Sequence, residues 1–88
     1  MNIKVIKKDN RIEPFYRHKI RTSLENVSDE CNTALNLSDI NLIINSISSV
    51  LSMANEEYIS SVKIKELVYY KLKDFGYGKI ANLYYSNK

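Results

Sequence analysis

Residues 5–19 read Val-Ile-Lys-Lys-Asp-Asn-Arg-Ile-Glu-Pro-Phe-Tyr-Arg-His-Lys, and this stretch decides the fold. Before the Asp9-Asn10 pair, Ile3, Val5 and Lys7 alternate with Lys4, Ile6 and Lys8, a period of two that is typical of a strand. Asn and Asp tolerate the positive φ of tight turns, so a two-residue Asp9-Asn10 loop predicts a β-hairpin. Pro14 has no amide hydrogen, which confines the second strand to an edge or an end. The hairpin brings four charged side chains close to one helix start: Lys7, Lys8, Glu13 and Lys19.

Apolar residues at helical spacing fill most of the chain after the hairpin. We predict helices over about residues 17–32, 38–53, 61–74 and 77–86, with Ser38 as the N-cap of the second helix. Residues 57–59 can form a short third strand beside the hairpin. The predicted fold class is α+β, mostly α: a four-helix bundle capped by a small β-sheet that contains the N-terminal hairpin. The first two apolar stripes are Ile20, Leu24, Val27 and Cys31, then Ile40, Ile43, Ile44, Ile47, Val50 and Leu51.

Composition indicates one soluble globular domain over residues 1–88. The 88 residues are 44% hydrophobic and 26% charged, which is ordinary for such a protein, and they suffice for one small core. Cys31 is the single cysteine, which excludes an internal disulfide or a zinc ribbon. No apolar run approaches about 20 residues and no secretory segment is visible, so we expect no membrane span and a cytoplasmic location. The net charge of +3 is compatible with phosphate ligands.

Three segments of the chain resemble the ATP-cone domain, the adenine-nucleotide sensor at the N-terminus of many ribonucleotide reductases. The same module occurs in the zinc-ribbon repressor of reductase genes. The first segment is Val5–Asn10 followed by Phe15-Tyr16 and Lys19-Ile20. The second is Ile59–Ser61 followed by Ile64–Val68, and the third is Gly78–Tyr85. The matches stand in the family's order and cover nearly the whole chain, here without the zinc ribbon or the catalytic barrel of the longer relatives.

The resemblance implies a phosphate site at the hairpin. Lys7, Lys19 and Ser61 stand at positions that bind nucleotide phosphates in the family, and a helix N-terminus beside Ser61 would add free amides. Lys8 stands where the family has Arg, which keeps the charge and loses the bidentate fork. Without the resemblance, the same lysines would be interpreted as a solvated basic face.

The resemblance also implies where the base and the ribose lie. Glu13 would accept the adenine amino group between apolar walls from Val5 and Ile20. Tyr16 replaces a polar capping residue and could either stack on the base or obstruct it. Lys65 stands where one branch of the family has His on the ribose side. At the C-terminal end of the site, Asn87 stands where the family has a basic residue.

The leading hypothesis is a stand-alone allosteric module that binds ATP or dATP, with or without Mg²⁺, and does no catalysis. No Walker-type loop, catalytic carboxylate pair or activated nucleophile is visible, and no metal site is predicted. Its partners would be a second copy of this chain, a ribonucleotide reductase or a transcriptional repressor, and we expect no binding to a membrane. The seven tyrosines concentrate in the last two helices, where Tyr69-Tyr70 and Tyr84-Tyr85 suggest an aromatic partner surface. Two alternatives stay open: a small basic nucleic-acid-binding protein, and a degenerate cone kept as an interaction scaffold.

Overall fold

A computed structural model describes residues 3–86 of the chain. Four helices and a three-stranded sheet make up the described part, so the prediction of a mostly helical α+β fold is confirmed. In chain order the elements are β1 (Lys4–Ile6), β2 (Ile12–Pro14), α1 (Arg17–Cys31), α2 (Leu37–Ala54), β3 (Tyr58–Ser60), α3 (Ser61–Asp74) and α4 (Gly78–Ser86).

Strand β1 lies in the middle of the sheet, in the order β2-β1-β3. It pairs antiparallel with β2, where Val5 faces Glu13, and parallel with β3, where Ile6 faces Ser60. Because β1 and β3 run in the same direction, their C-terminal ends meet at one edge of the sheet. The start of α3, which follows β3 directly, therefore lies beside the hairpin loop.

The hairpin loop is one residue longer than the predicted Asp9-Asn10 pair. The Lys7 amide donates to the Arg11 carbonyl over 2.8 Å, and the Asn10 amide donates to the Lys7 carbonyl over 2.9 Å. Residues 8–10 thus form a three-residue loop, in which residues 7–10 make a four-residue turn whose last residue is left-handed. Asn10 is that residue, with φ 70°. Its positive φ is what the sequence predicted, but Asn10 is the last residue of the turn and not one of the two residues of a two-residue loop.

Helix ends are fixed by asparagine and serine side chains. The Asn36 side chain accepts a hydrogen bond from the Ser38 amide, so Asn36 caps α2 and the prediction of Ser38 as the cap is wrong. Ser60 caps α3 by accepting from the Val62 amide. Tyr16 precedes α1 without any side-chain cap, as its phenol ring requires.

The core lies between the helices and one face of the sheet. Val50, predicted to belong to the α2 stripe, is 38% exposed and lies outside the core. Of the two tyrosine pairs, Tyr69 and Tyr84 pack against the core, whereas Tyr70 and Tyr85 are exposed. The buried hydrophobic residues are Ile3, Val5, Ile20, Leu24, Val27, Ile40, Ile43, Ile44, Ile47, Leu51, Ile64, Val68, Leu72, Ile80 and Ala81.

Helix α2 is long and strongly apolar. By length and composition alone, it is the one helix within residues 3–86 that could cross a membrane. The sequence prediction considered only the length of uninterrupted apolar runs and expected no such helix. The core helix of a soluble protein has the same properties. Five of its residues, from Ile40 to Leu51, are buried inside this domain, which accounts for its apolar character.

Candidate functional site

A cleft of about 660 Å³ opens between the hairpin, α1, the start of α3 and the end of α4. The structure brings together nine of the ten predicted site residues along its walls. The tenth, Asn87, lies outside the described residues. The nine are Val5, Lys7, Lys8, Glu13, Tyr16, Lys19, Ile20, Ser61 and Lys65.

The centre of the cleft is an ion-paired cluster around Glu13. Lys19 Nζ donates to Glu13 Oε1 over 2.8 Å, and Lys7 Nζ lies 3.8 Å from the same oxygen. The hydrogen bond from Lys19, aided by the charges of Lys19, Lys7 and Arg11, lowers the pKa of the Glu13 carboxyl below its ordinary value. Glu13 is therefore a carboxylate at neutral pH. Of its two lysine partners, Lys7 directly follows β1 and Lys19 lies in the first turn of α1.

The Tyr16 side chain lies at the rim of the cleft. Its ring is 42% exposed, and Lys19 Nζ lies 5.3 Å from the ring centroid. The His18 ring is also 5.3 Å away, at an interplanar angle of 40°. Tyr16 is thus a partly exposed aromatic ring that lines the cleft beside a lysine ammonium, and aromatic rings of this kind can stack on a planar base.

The edge next to the hairpin loop is basic. Ser61, the first residue of α3, lines the cleft beside the free amides of that helix end. Lys7 and Lys8 face it from the hairpin. Cationic side chains around a helix N-terminus form an arrangement that binds phosphate groups.

Arg11 is a cleft residue that sequence reasoning missed. Its Nε donates to Asp9 Oδ2 over 2.7 Å, and its backbone amide donates to Asp9 Oδ1 over 3.1 Å. These bonds, the backbone one first, lower the pKa of Asp9. Asp9 thus orders the loop and offsets part of the Arg11 charge. The available signal was the position of Arg11 directly after the turn.

The far end of the cleft runs along α1 and was also missed. Ser23, Asn26 and Glu30 line it, and together with Lys19 they follow one another at steps of four, three and four residues. That spacing places them on the same helix face as Lys19, which is the signal that could have found them. Val5 and Ile20 line the cleft as well, but they are only 7% and 6% exposed. The predicted apolar walls therefore present little surface, because both residues also serve the core.

The sequence that forms this hairpin and these helices matches a family model. It is the ATP cone domain, and the match extends over residues 3–86. The chain belongs to the ATP cone family. The ATP cone is a nucleotide-binding regulatory module without catalytic activity, so the prediction from the three sequence segments is confirmed at the level of the family. A comparison with curated proteins gave no match.

Because ATP cones bind adenine nucleotides, membership of this family supports an adenine nucleotide as the ligand of this chain. Which side chains contact that ligand stays a prediction. Within residues 3–86 of this ATP cone, no group of three or more His, Cys, Asp and Glu side chains is placed to hold a metal ion.

The end of α4 closes the last side of the cleft of this ATP cone. Tyr84 lines it, and burial raises the pKa of the Tyr84 hydroxyl to about 12, so the phenol is neutral at physiological pH. Lys65 reaches the cleft from α3, and its Nζ lies 5.5 Å from the centroid of the Tyr85 ring. Residues of α4 thus approach the site both directly and through Lys65.

Proposed function

We propose that this ATP cone is an allosteric sensor that binds ATP or dATP, with or without Mg²⁺, in the cleft beside the hairpin. The observation that carries the proposal is the convergence of nine separately predicted side chains from β1, β2, α1, α3 and their connections on one cleft. A cleft of about 660 Å³ is within the range of small-molecule sites.

The phosphates would bind at the basic edge of the cleft. Lys7, Lys8 and Lys19 supply positive charge, and Ser61 supplies a hydroxyl at the start of α3. The Lys7–Glu13 contact of 3.8 Å is too long for a hydrogen bond, so Lys7 can turn toward a phosphate without losing one. The free amides of α3 would complete the phosphate contacts.

Glu13 would recognise the base. Both lysine contacts go to Oε1, and within residues 3–86 Oε2 takes no hydrogen bond or ion pair. A carboxylate oxygen accepts hydrogen bonds only, which suits the amino group of adenine and opposes the carbonyl of guanine. Tyr16, at the rim, would stack on the ring.

Binding would act on a surface of the protein, since the module itself carries out no reaction. We propose that the liganded and unliganded states differ in self-association or in contact with a ribonucleotide reductase or a repressor of reductase genes. A ligand shifts such an equilibrium only by its differential affinity for the two states.

Isothermal titration calorimetry tests the proposal with four ligands: ATP, dATP, GTP and a short DNA duplex. Binding of ATP and dATP with weaker or absent binding of GTP is the expected result. Binding of the duplex alone would favour the nucleic-acid alternative. If none of the four binds, the degenerate scaffold becomes the better interpretation.

A further inference from the structure

A row of alternating cationic and aromatic side chains leads from the cleft along the surface of α3 and α4. Lys65, Tyr69 and Lys73 are spaced by four residues on α3, which places them on one face of the helix. The Tyr85 ring from α4 fits between the first two. Lys65 Nζ lies 5.5 Å from the Tyr85 centroid, and the Tyr85 and Tyr69 centroids are 5.0 Å apart.

The Tyr85 ring also has an aromatic contact with α3. Tyr69 contacts it at an interplanar angle of 58°, and Lys73 Nζ lies 5.4 Å from the Tyr69 centroid. Tyr70 adds an edge contact to Tyr69, with centroids 5.3 Å apart. Tyr85 is 47% exposed, so its position depends on these ring contacts more than on burial in the core.

We infer that Tyr85 is a positioning residue for ligand binding: its ring holds the Lys65 ammonium at the edge of the cleft. The inference rests on the proposed function, because it assumes that the cleft takes an anionic nucleotide. Of the two residues, only Lys65 lines the cleft, so Tyr85 acts through Lys65.

Holding Lys65 favours binding for two physical reasons. A ring face is not a competing oxygen acceptor, so the contact with Tyr85 orients the ammonium toward the cleft without taking the place of a phosphate or hydroxyl oxygen. A lysine side chain also has large rotamer freedom, and the contact removes part of it before the ligand arrives. Loss of the ring should therefore weaken binding rather than strengthen it.

A set of variants in the full chain, titrated with ATP, tests the inference. Tyr85→Leu should weaken ATP binding about two- to fivefold, the size expected for an exposed cation–π contact. Tyr85→Phe keeps the ring and should bind as the unsubstituted chain does. Tyr58→Leu is the matched control, because it removes a tyrosine of similar exposure, 42%, that does not line the cleft and lies outside this row.

A double-mutant cycle separates positioning from damage to α4. With Lys65→Met in the background, Tyr85→Leu should have no further effect on ATP affinity, because its route to the cleft is already removed. Equal losses in both backgrounds, or a loss in Tyr85→Phe as large as in Tyr85→Leu, would overturn the inference. So would tighter binding in Tyr85→Leu.

A readout without nucleotide distinguishes failure of this inference from failure of the proposed function. The methylene protons of Lys65 next to Nζ should show a ring-current shift by NMR in the unliganded chain. The shift should persist in Tyr85→Phe and disappear in Tyr85→Leu. A chain that shows this shift and binds no nucleotide refutes the proposed function. A chain that binds ATP but lacks the shift refutes only the role of Tyr85.

Discussion

Lys19 Nζ and Glu13 Oε1 lie 2.8 Å apart and join the start of α1 to strand β2. The contact links two residues to which sequence reasoning gave different tasks, phosphate binding for Lys19 and base recognition for Glu13. In the unliganded protein they neutralise each other. A nucleotide that binds at both residues would therefore have to compete with this ion pair.

Lys19→Ala and Lys7→Ala should each weaken ATP binding. A charge-assisted contact to a phosphate contributes about 1.5–3 kcal/mol, which corresponds to roughly ten- to a hundredfold in affinity. Folding stability should change little, because exposed ion pairs contribute only about 0–1 kcal/mol. Calorimetry measures the affinity, with Lys79→Ala as a control that removes an exposed lysine of α4 that does not line the cleft. Unchanged affinity in both cleft variants would refute the phosphate site.

The Glu13 carboxyl should titrate below its ordinary range in the unliganded chain, and Lys19→Ala should move its pKa upward. The hydrogen bond from Lys19 is the largest cause of the lowered value, while Lys7 contributes only its charge, so Lys7→Ala should have the smaller effect. The stabilisation by this pair is present above the unfolded-state pKa and is lost as pH falls through the folded-state pKa. Carbon-13 NMR of the Glu13 carboxyl measures both shifts. The reverse order of the two variants would contradict the observed geometry.

Glu13→Gln should reduce the preference for ATP over GTP. The glutamine amide can present either its oxygen or its NH₂ group, so it accepts from adenine or donates to the guanine carbonyl. Parallel calorimetry with ATP and GTP on the unsubstituted and substituted chains measures the ratio of affinities. An ATP-to-GTP ratio that does not change would remove Glu13 from base recognition, whatever happens to overall affinity.

Much of this arrangement could be predicted because the hairpin and the helices obey local rules. Pro14 and the apolar stripe of α1 defined β2 and α1 closely, and α3 begins and ends at the predicted residues, Ser61 and Asp74. Local rules could not give the register of the hairpin or decide which of two residues caps α2. A loop of two or three residues is compatible with the same Asp9-Asn10 pair. Asn36 and Ser38 are both good capping residues, and the helix begins at Leu37, directly after Asn36.

The site shows the same division between local and tertiary information. The lysines at the cleft follow from the family motif, whereas Ser23, Asn26 and Glu30 belong to no motif and depend on which face of α1 meets the cleft. The ion pairs of Glu13 were not predictable either. They depend on the distance between β2 and α1, which is set by packing of Ile20 in the core.

Ser48→Ala should stabilise the fold. The Ser48 hydroxyl is buried and has no hydrogen-bond partner among the described residues, which costs about 1–3 kcal/mol. Alanine is also the better helix former. We expect the free energy of unfolding to rise by about 1 kcal/mol, seen as an increase in the urea midpoint by circular dichroism. Ser49→Ala, at an exposed position of the same helix, should gain only the smaller propensity contribution. A Ser48→Ala chain no more stable than Ser49→Ala would show that the buried hydroxyl has a partner.

Nucleotide should change the association state of the chain or its contact with another protein. Tyr70 and Tyr85 are 61% and 47% exposed on adjoining surfaces of α3 and α4, and tyrosine is enriched at protein interfaces. Lys65 contacts Tyr85 and lines the cleft, so ligand binding can alter this surface directly. A coupling free energy of about 1–3 kcal/mol would shift assembly five- to roughly a hundredfold. Size exclusion with light scattering, run without nucleotide, with ATP and with dATP, measures self-association.

Tyr70→Ser should abolish that response while ATP still binds, because Tyr70 does not line the cleft. Leu42→Ser is the matched control, since it removes an exposed apolar side chain of similar exposure, 51%, from α2. Equal masses under all three conditions would exclude self-association. A pull-down from the source cell, with the same three nucleotide conditions and the Tyr70→Ser variant, would then test for a separate partner. A partner whose capture depends neither on nucleotide nor on Tyr70 would contradict a regulatory role for this surface.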